Sequence, residues 1–179
     1  MRRTASSTIE RPLPCGAPVV SADLVSAPPL PALPAEEIDT LARGLFEAFE
    51  SGEPVDPPVA AHPGMTVADA YAVQRALVAL HAAKGRTVTG RKIGLTSLAM
   101  QEQLGVSDPD FGVLLDSHTW TDGATLSMGD LHAILPRLEG EIAFVLRRPL
   151  GAGTTAADVL QATESVLPVF EVIDSRVRD

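Results

Sequence analysis

The strongest constraint on the fold is a run of strand-forming residues that carries two acids, "LPRLEGEIAFVLRRPL" at residues 135–150. In an extended strand, residues two apart share a face and lie about 6.6 Å apart, because each residue advances the chain by about 3.3 Å. Glu139 and Glu141 therefore share one face, which continues with Ala143 and Val145. The opposite face is apolar, so we expect both faces to be at least partly buried in a sheet.

A third acid, Glu171, lies in a second strand-like stretch, "VLPVFEVID" at residues 166–174. An ionised carboxylate withdrawn from water is costly unless it is paired. Three buried acids that meet must therefore be protonated or bind a cation, and oxygen ligands without His or Cys favour Mg²⁺ or Mn²⁺ over zinc. Structural pairing with the arginines of the first stretch is the alternative, and the sequence spacing leaves both open.

Two segments before these strands have helical periodicity. Residues 35–52 and 65–85 each place apolar residues three or four positions apart, and each ends at a glycine. Thr66 precedes Asp69 by three residues, which is a capping-box pattern. A connection with four prolines separates the two predicted helices.

The second half of the chain is richer in strand signals. The predicted elements are a glycine-interrupted strand within 87–97, a short helix within 97–105, a loop at 106–116, strands near 124–128, 137–147 and 166–174, and a helix at 156–166 capped near Thr155. Two helices that lead into a strand-rich half indicate an α+β fold rather than a regular parallel βαβ array.

Composition bounds the partners and the compartment. The chain has 179 residues and a net charge of -9, and its basic residues form no stripe, so we expect no nucleic-acid partner. No stretch approaches the roughly 18 apolar residues of a membrane span. The single cysteine, Cys15, cannot form an internal disulfide, which fits the cytoplasm. Residues 1–34 are rich in Pro and Ala and are predicted to be a disordered tail before one domain at 35–179.

Four stretches within about residues 65–179 resemble the fumarylacetoacetate hydrolase superfamily, in its 2-keto-4-pentenoate hydratase branch: "GRKIGLTS", "QEQLGVSDPDFGVLL", "LPRLEGEIAFVL" and "VLPVFEVIDSRVRD". The resemblance implies N-terminal helices followed by a mixed β-sheet core, and a homo-oligomer. Family members continue for roughly another third of their length. The resemblance therefore predicts that residues 35–179 lack the family's C-terminal third, so that the core is incomplete in this chain.

The resemblance also implies roles for individual residues. Glu139, Glu141 and Glu171 would bind the divalent metal ion, Mg²⁺ or Mn²⁺, and Lys92 and Asp110 would be catalytic. Three more residues would lie near the substrate: Arg91, Leu95 and Thr96.

The implied reaction is that of a hydro-lyase in aromatic-compound catabolism. Members of this branch add water to 2-hydroxypenta-2,4-dienoate and form 4-hydroxy-2-oxopentanoate. Lys92 is then expected to bind the substrate carboxylate or to transfer a proton, and Asp110 to relay a second proton or to orient water.

Two alternatives stay open at the level of sequence. The first is the 4-oxalocrotonate decarboxylase of the same family, and the choice of hydratase depends on Asp110 in "PDFG", where the decarboxylase pattern has an uncharged residue. The second is a non-catalytic remnant that keeps the binding residues and serves only as an assembly partner.

Overall fold

The computed structural model describes residues 30–178, so residues 1–29 of the predicted tail lie outside the described residues. The last part of that segment is held against the domain. The backbone N–H groups of Ala32 and Leu33 donate to Oδ1 of Asp69 at 2.7 and 2.8 Å. The first helix begins directly after it, at Ala35.

The described residues form an α+β fold, as the sequence predicts. The helices are α1 (Ala35–Ser51), α2 (Pro58–Ala61), α3 (Val67–Ala83), α4 (Leu98–Leu104) and α5 (Ala156–Ala162). The strands are β1 (Val88–Gly94), β2 (Asp110–Leu115), β3 (Arg137–Leu146) and β4 (Thr163–Ile173). Among these residues, no helix is both long enough and apolar enough to cross a lipid bilayer.

The two long helices, α1 and α3, pack against each other through small side chains. Ala42 and Ala48 of α1 and Ala72 and Val73 of α3 are buried. Short side chains allow close approach of the two backbones, so this seam is the main core of the described residues.

The predicted capping box begins α3 and also fixes the start of α1. Thr66 Oγ1 accepts from the backbone N–H of Asp69, and the Asp69 carboxylate accepts from the backbone N–H of Thr66. Asp69 is fully buried, and its pKa is lowered to about 2, chiefly by the hydrogen bond from the Leu33 backbone N–H and next by that from the Thr66 hydroxyl. One carboxylate therefore satisfies donors from two segments.

The strands form two separate antiparallel pairs, β1 with β2 and β3 with β4. The only parallel pairing among the described residues is an isolated bridge between Val55 and Val177. We expected a core sheet with both parallel and antiparallel strand pairs. In the described residues, parallel pairing is limited to this one bridge.

Three element predictions were wrong. The loop predicted at 106–116 contains β2, whose residues pair with β1 from Gly94 back to Val88. No strand forms at 124–128, which is irregular and ends in a turn. The helix predicted at 156–166 ends at Ala162, because β4 begins at Thr163 and pairs with the end of β3.

The expected burial of both β3 faces was also wrong for the described residues. On the face opposite the glutamates, Leu138 is 70% exposed and Ile142 is 65% exposed. This sheet has two strands, and no described helix packs extensively against it, so the apolar face that the sequence encodes is left open.

Candidate metal centre

The register of β3 and β4 brings the three predicted metal ligands together. Glu139 lies directly opposite Glu171, and Glu141 lies opposite Val169. Directly opposed residues project from the same face of a sheet, as do residues two apart along a strand. The side chains of Glu139, Glu141 and Glu171 therefore share one face, and one carboxylate oxygen from each lies within 4.8 Å of the other two.

The spacing of these oxygens fits a single divalent cation. Two oxygens on opposite sides of a Mg²⁺ ion lie about 4.2 Å apart, and two oxygens around a Ca²⁺ ion lie at most about 5.2 Å apart. The 4.8 Å spread already lies within the calcium limit, and the oxygens must approach by about 0.6 Å to reach the magnesium distance. All-carboxylate ligation is typical of these hard cations.

A lysine from the other sheet approaches the three carboxylates. Lys92 Nζ lies 3.6 Å from Glu171 Oε1, and the two side chains are only 28% and 24% exposed. Three ionised carboxylates and one ammonium leave a formal charge of −2 on these four side chains. A divalent cation balances that charge, so the donor set and its electrostatics agree.

Asp110 lies beside the same lysine. It is the first residue of β2 and pairs with Gly94 at the end of β1, while Lys92 pairs with Gly112. A Cβ added to Gly94 would lie 2.1 Å from Asp110 Oδ1 and 3.2 Å from Lys92 Nζ. The carboxylate and the ammonium therefore flank one position above Gly94. The structure thus brings together both predicted catalytic residues and the three glutamates.

The three predicted substrate-binding residues are placed differently. Arg91 projects from β1 on the face opposite Lys92, into a surface groove that Tyr71 and Arg75 also line. Leu95 and Thr96 follow β1 directly. Leu95 has a positive φ of 54°, a conformation that is uncommon for a residue with a side chain.

Two residues that support this site were not predicted from the sequence. Gln101 of α4 is 6% exposed, and its Nε2 donates to the carbonyl of Leu95 at 2.6 Å, which holds the turn after β1. Gly112 provides the space in which the stem of Lys92 lies. A glycine inside a strand indicates that another group lies close to the backbone. The sequence predicts a loop at 106–116, so this indication did not apply to Gly112.

Comparisons with known proteins identify curated relatives of the chain. No family model matches the chain. A 2-hydroxyhexa-2,4-dienoate hydratase of Comamonas testosteroni is 47% identical over 143 residues, which are 79% of this chain and 54% of that protein. A 2-keto-4-pentenoate hydratase of Paraburkholderia xenovorans (strain LB400) is 42% identical over 145 residues, which are 80% of this chain and 53% of that protein.

A solved structure extends the similarity to the fold. The 4-oxalocrotonate decarboxylase from Pseudomonas putida G7, complexed with magnesium and adipate, superposes with a TM-score of 0.76 at 36% sequence identity. The match covers 82% of this chain and 56% of that one. These comparisons confirm the resemblance of the chain to the 2-keto-4-pentenoate hydratase branch of the fumarylacetoacetate hydrolase superfamily.

The similarity extends over part of each relative. The chain spans about half the length of the curated relatives it matches. The activity of the whole relatives is therefore the starting point for a proposal about this chain.

Proposed function

We propose that the chain belongs to a metal-dependent hydro-lyase of aromatic-compound catabolism. The reaction adds water to 2-hydroxypenta-2,4-dienoate and gives 4-hydroxy-2-oxopentanoate, with Mg²⁺ or Mn²⁺ as the metal ion. The observation that carries the proposal is the convergence of Glu139, Glu141 and Glu171 within 4.8 Å, with Lys92 reaching them from the other sheet. The substrate class is supported by relatives that are named as dienoate hydratases.

The three glutamates would hold the metal ion through one carboxylate oxygen each, since these oxygens lie within 4.8 Å of one another. When bound, the ion supplies Lewis-acid chemistry that stabilises negative charge on a substrate oxygen. Glu139 and Glu141 are exposed and Glu171 is partly exposed, so a small acid can reach the centre from solvent.

Lys92 and Asp110 would handle the substrate and the protons. The Lys92 ammonium lies between Glu171 and the space above Gly94, so it can donate a hydrogen bond to a substrate carboxylate. Asp110 Oδ1, which lies against the Gly94 backbone beside this ammonium, would accept a proton from the water that adds to the alkene.

The substrate-binding residues have unequal support. Leu95 and Thr96 directly follow Gly94 in the chain, and we propose on that ground that they contact the substrate. Arg91 stays a prediction, since its side chain leaves β1 on the opposite face from Lys92.

A turnover assay tests the proposal. The 179-residue chain, supplied with Mg²⁺ or Mn²⁺ and 2-hydroxypenta-2,4-dienoate, is expected to remove the absorbance of the conjugated dienol. Glu139→Gln should abolish this turnover, because it removes a charged ligand. Glu164→Gln is the matched control, since it makes the same change on β4 outside the glutamate cluster.

Two results would contradict the proposal. The first is an absence of turnover in a folded chain that binds the metal ion, which favours a non-catalytic assembly partner. The second is unchanged turnover in Glu139→Gln, which would remove that residue from the metal centre.

One observation favours a second candidate reaction. The 4-oxalocrotonate decarboxylase has the same fold as this chain, with a TM-score of 0.76. Its 36% identity is lower than the 42–47% identity of the hydratases, and Asp110 supplies an acid where we expect none in a decarboxylase. Release of CO₂ from 4-oxalocrotonate, faster than hydration of the dienoate, would reverse this preference.

We also propose a cytoplasmic homo-oligomer. The single cysteine of the sequence fits a reducing compartment. The exposed apolar side chains of β3 and β4 support an association between copies of the chain.

A further inference from the structure

We propose that two glycines, Gly94 and Gly112, are positioning residues that set the places of the Lys92 ammonium and the Asp110 carboxylate. The two pairs are reciprocal in the β1–β2 register, since Lys92 lies opposite Gly112 and Gly94 lies opposite Asp110. Each polar side chain therefore faces a residue without a side chain. The inference rests on the proposed function for what Lys92 and Asp110 do at the site.

Gly112 makes room for the alkyl stem of Lys92. A Cβ added to Gly112 would lie 2.8 Å from Lys92 Cγ and 2.9 Å from Lys92 Cδ. Carbon atoms that are not bonded make optimal contact at about 3.5–4.0 Å, so the stem already occupies the place of a side chain. Because the stem crosses over Gly112, Lys92 Nζ lies 3.6 Å from Glu171 Oε1.

Gly94 makes room for the carboxylate of Asp110. A Cβ added to Gly94 would lie 2.1 Å from Asp110 Oδ1 and 3.1 Å from its Cγ. The carboxylate of this short side chain therefore lies against the Gly94 backbone. Any side chain at position 94 would force the carboxylate to rotate away.

Backbone conformation does not explain either glycine. Among the described residues, positive φ values occur at five other glycines and not at Gly94 or Gly112. Glycine in a strand weakens the strand, because it packs no side chain against its neighbours. The reason for glycine at positions 94 and 112 is therefore the space that each leaves for the side chain of the opposite residue.

Gly90 shows that a strand glycine on β1 need not serve this purpose. It lies two residues before Lys92, and an added Cβ would meet only Leu114, with its Cδ1 at 3.3 Å. A leucine methyl group can shift by a few tenths of an ångström. Gly90→Ala is therefore a matched control on the same strand.

The charge of Lys92 gives the proposal a readout that does not depend on turnover. In Gly112→Ala, the Lys92 stem must leave its path, and the ammonium moves away from Glu171. The three glutamates then lose a positive neighbour that competes with a metal ion for their charge. Affinity for Mg²⁺ should rise while turnover falls, whereas general damage to the fold would lower both.

The test is calorimetric titration of the 179-residue chain with Mg²⁺, alongside turnover of 2-hydroxypenta-2,4-dienoate. Gly112→Ala should tighten Mg²⁺ binding about fivefold and lower kcat about a hundredfold. Lys92→Gln should give the same pair of changes. Gly94→Ala should lower kcat and leave Mg²⁺ affinity within about twofold, and Gly90→Ala should change neither.

Unchanged affinity and kcat in Gly112→Ala would overturn the proposal, and so would a loss of both in that variant. If Gly112→Ala does not fold, adding Lys92→Ala removes the atoms with which the new Cβ collides and should restore folding. Failure of that rescue would also overturn it. A wild-type chain that binds Mg²⁺ without turnover contradicts the proposed function alone, because the affinity comparison is still decisive.

Discussion

His81 is a titratable side chain that packs among aromatic rings. It is 5% exposed, and its ring centroid lies 5.0 Å from that of Phe46 and 5.1 Å from that of Phe49. Arg86 Nη1 lies 2.7 Å from His81 Nδ1. Burial and then the Arg86 charge lower the pKa of His81 to about 4, with a smaller opposing effect from Glu50. The imidazole is therefore neutral in the folded chain at pH 7.

This burial predicts a loss of stability in mild acid. The unfolded chain binds a proton at His81 near its ordinary pKa of 6.5, and the folded chain binds it only near pH 4. The neutral His81 side chain therefore contributes up to about 3 kcal/mol to the free energy of unfolding. This contribution is fully present above pH 6.5 and is lost as the pH falls towards 4. In His81→Leu, the free energy of unfolding measured in urea should therefore fall less steeply than in the wild-type chain as the pH is lowered from 6.5 to 4.

Phe46→Leu is the control for this measurement, because it alters the same seam without removing a titratable group. It should lower the free energy of unfolding at every pH. The dependence of that free energy on pH should have the same slope as in the wild-type chain. An identical slope in His81→Leu would show that the imidazole is not the group that titrates.

At the level of single elements, one glycine inside α1 and one directly after it have opposite roles. Gly52 ends the helix with a φ of 74°, which a residue with a side chain adopts at a cost. Gly44 lies inside the helix, where an added Cβ would meet only Val55 Cγ1 at 4.0 Å. Gly52→Ala should lower the free energy of unfolding by about 1 kcal/mol, and Gly44→Ala should raise it by about 0.5–1 kcal/mol.

Chemical denaturation of both variants measures this pair. The two changes add the same methyl group to one helix, so each is the control for the other. Shifts of the same sign would contradict the account of how α1 ends.

Elements with local signals could be predicted from the sequence. The capping box of Thr66 and Asp69 lies within four residues, and α3 begins where it predicts. The shared face of Glu139 and Glu141 follows from strand periodicity alone. Such features depend on neighbours in the chain, which the sequence displays directly.

Features that depend on strand pairing could not be predicted from local sequence. Glu171 meets Glu139 only because β4 pairs with β3 in one particular register, and a shift by one residue would turn it to the other face. The segment that contains β2 includes Pro109 and Gly112, residue types that are typical of loops. Its pairing with β1 decides that it is a strand. The resemblance to a family, rather than the periodicity, pointed to Lys92 and Asp110.

At the scale of the whole molecule, the face of β3 and β4 opposite the glutamates is apolar and open. Phe170 is 81% exposed, Leu138 is 70% exposed and Ile142 is 65% exposed. An apolar patch of this kind is typical of an interface. We therefore predict that copies of the chain associate through this face.

Sedimentation velocity tests the association. The wild-type chain should sediment as a multiple of 18.8 kDa, and Ile142→Ser should shift the population towards the monomer. Leu160→Ser is the matched control, since Leu160 is 72% exposed but lies on α5. A monomer at all accessible concentrations would contradict the prediction.

We propose that three glutamates from two paired strands bind one divalent ion. The most direct test of this binding is titration of the chain with Mn²⁺, with free Mn²⁺ measured by electron paramagnetic resonance. We expect one bound ion per chain and a loss of affinity of at least about tenfold in Glu171→Gln, which removes a charged ligand. Wild-type affinity in Glu171→Gln, or no stoichiometric binding by the wild-type chain, would contradict it.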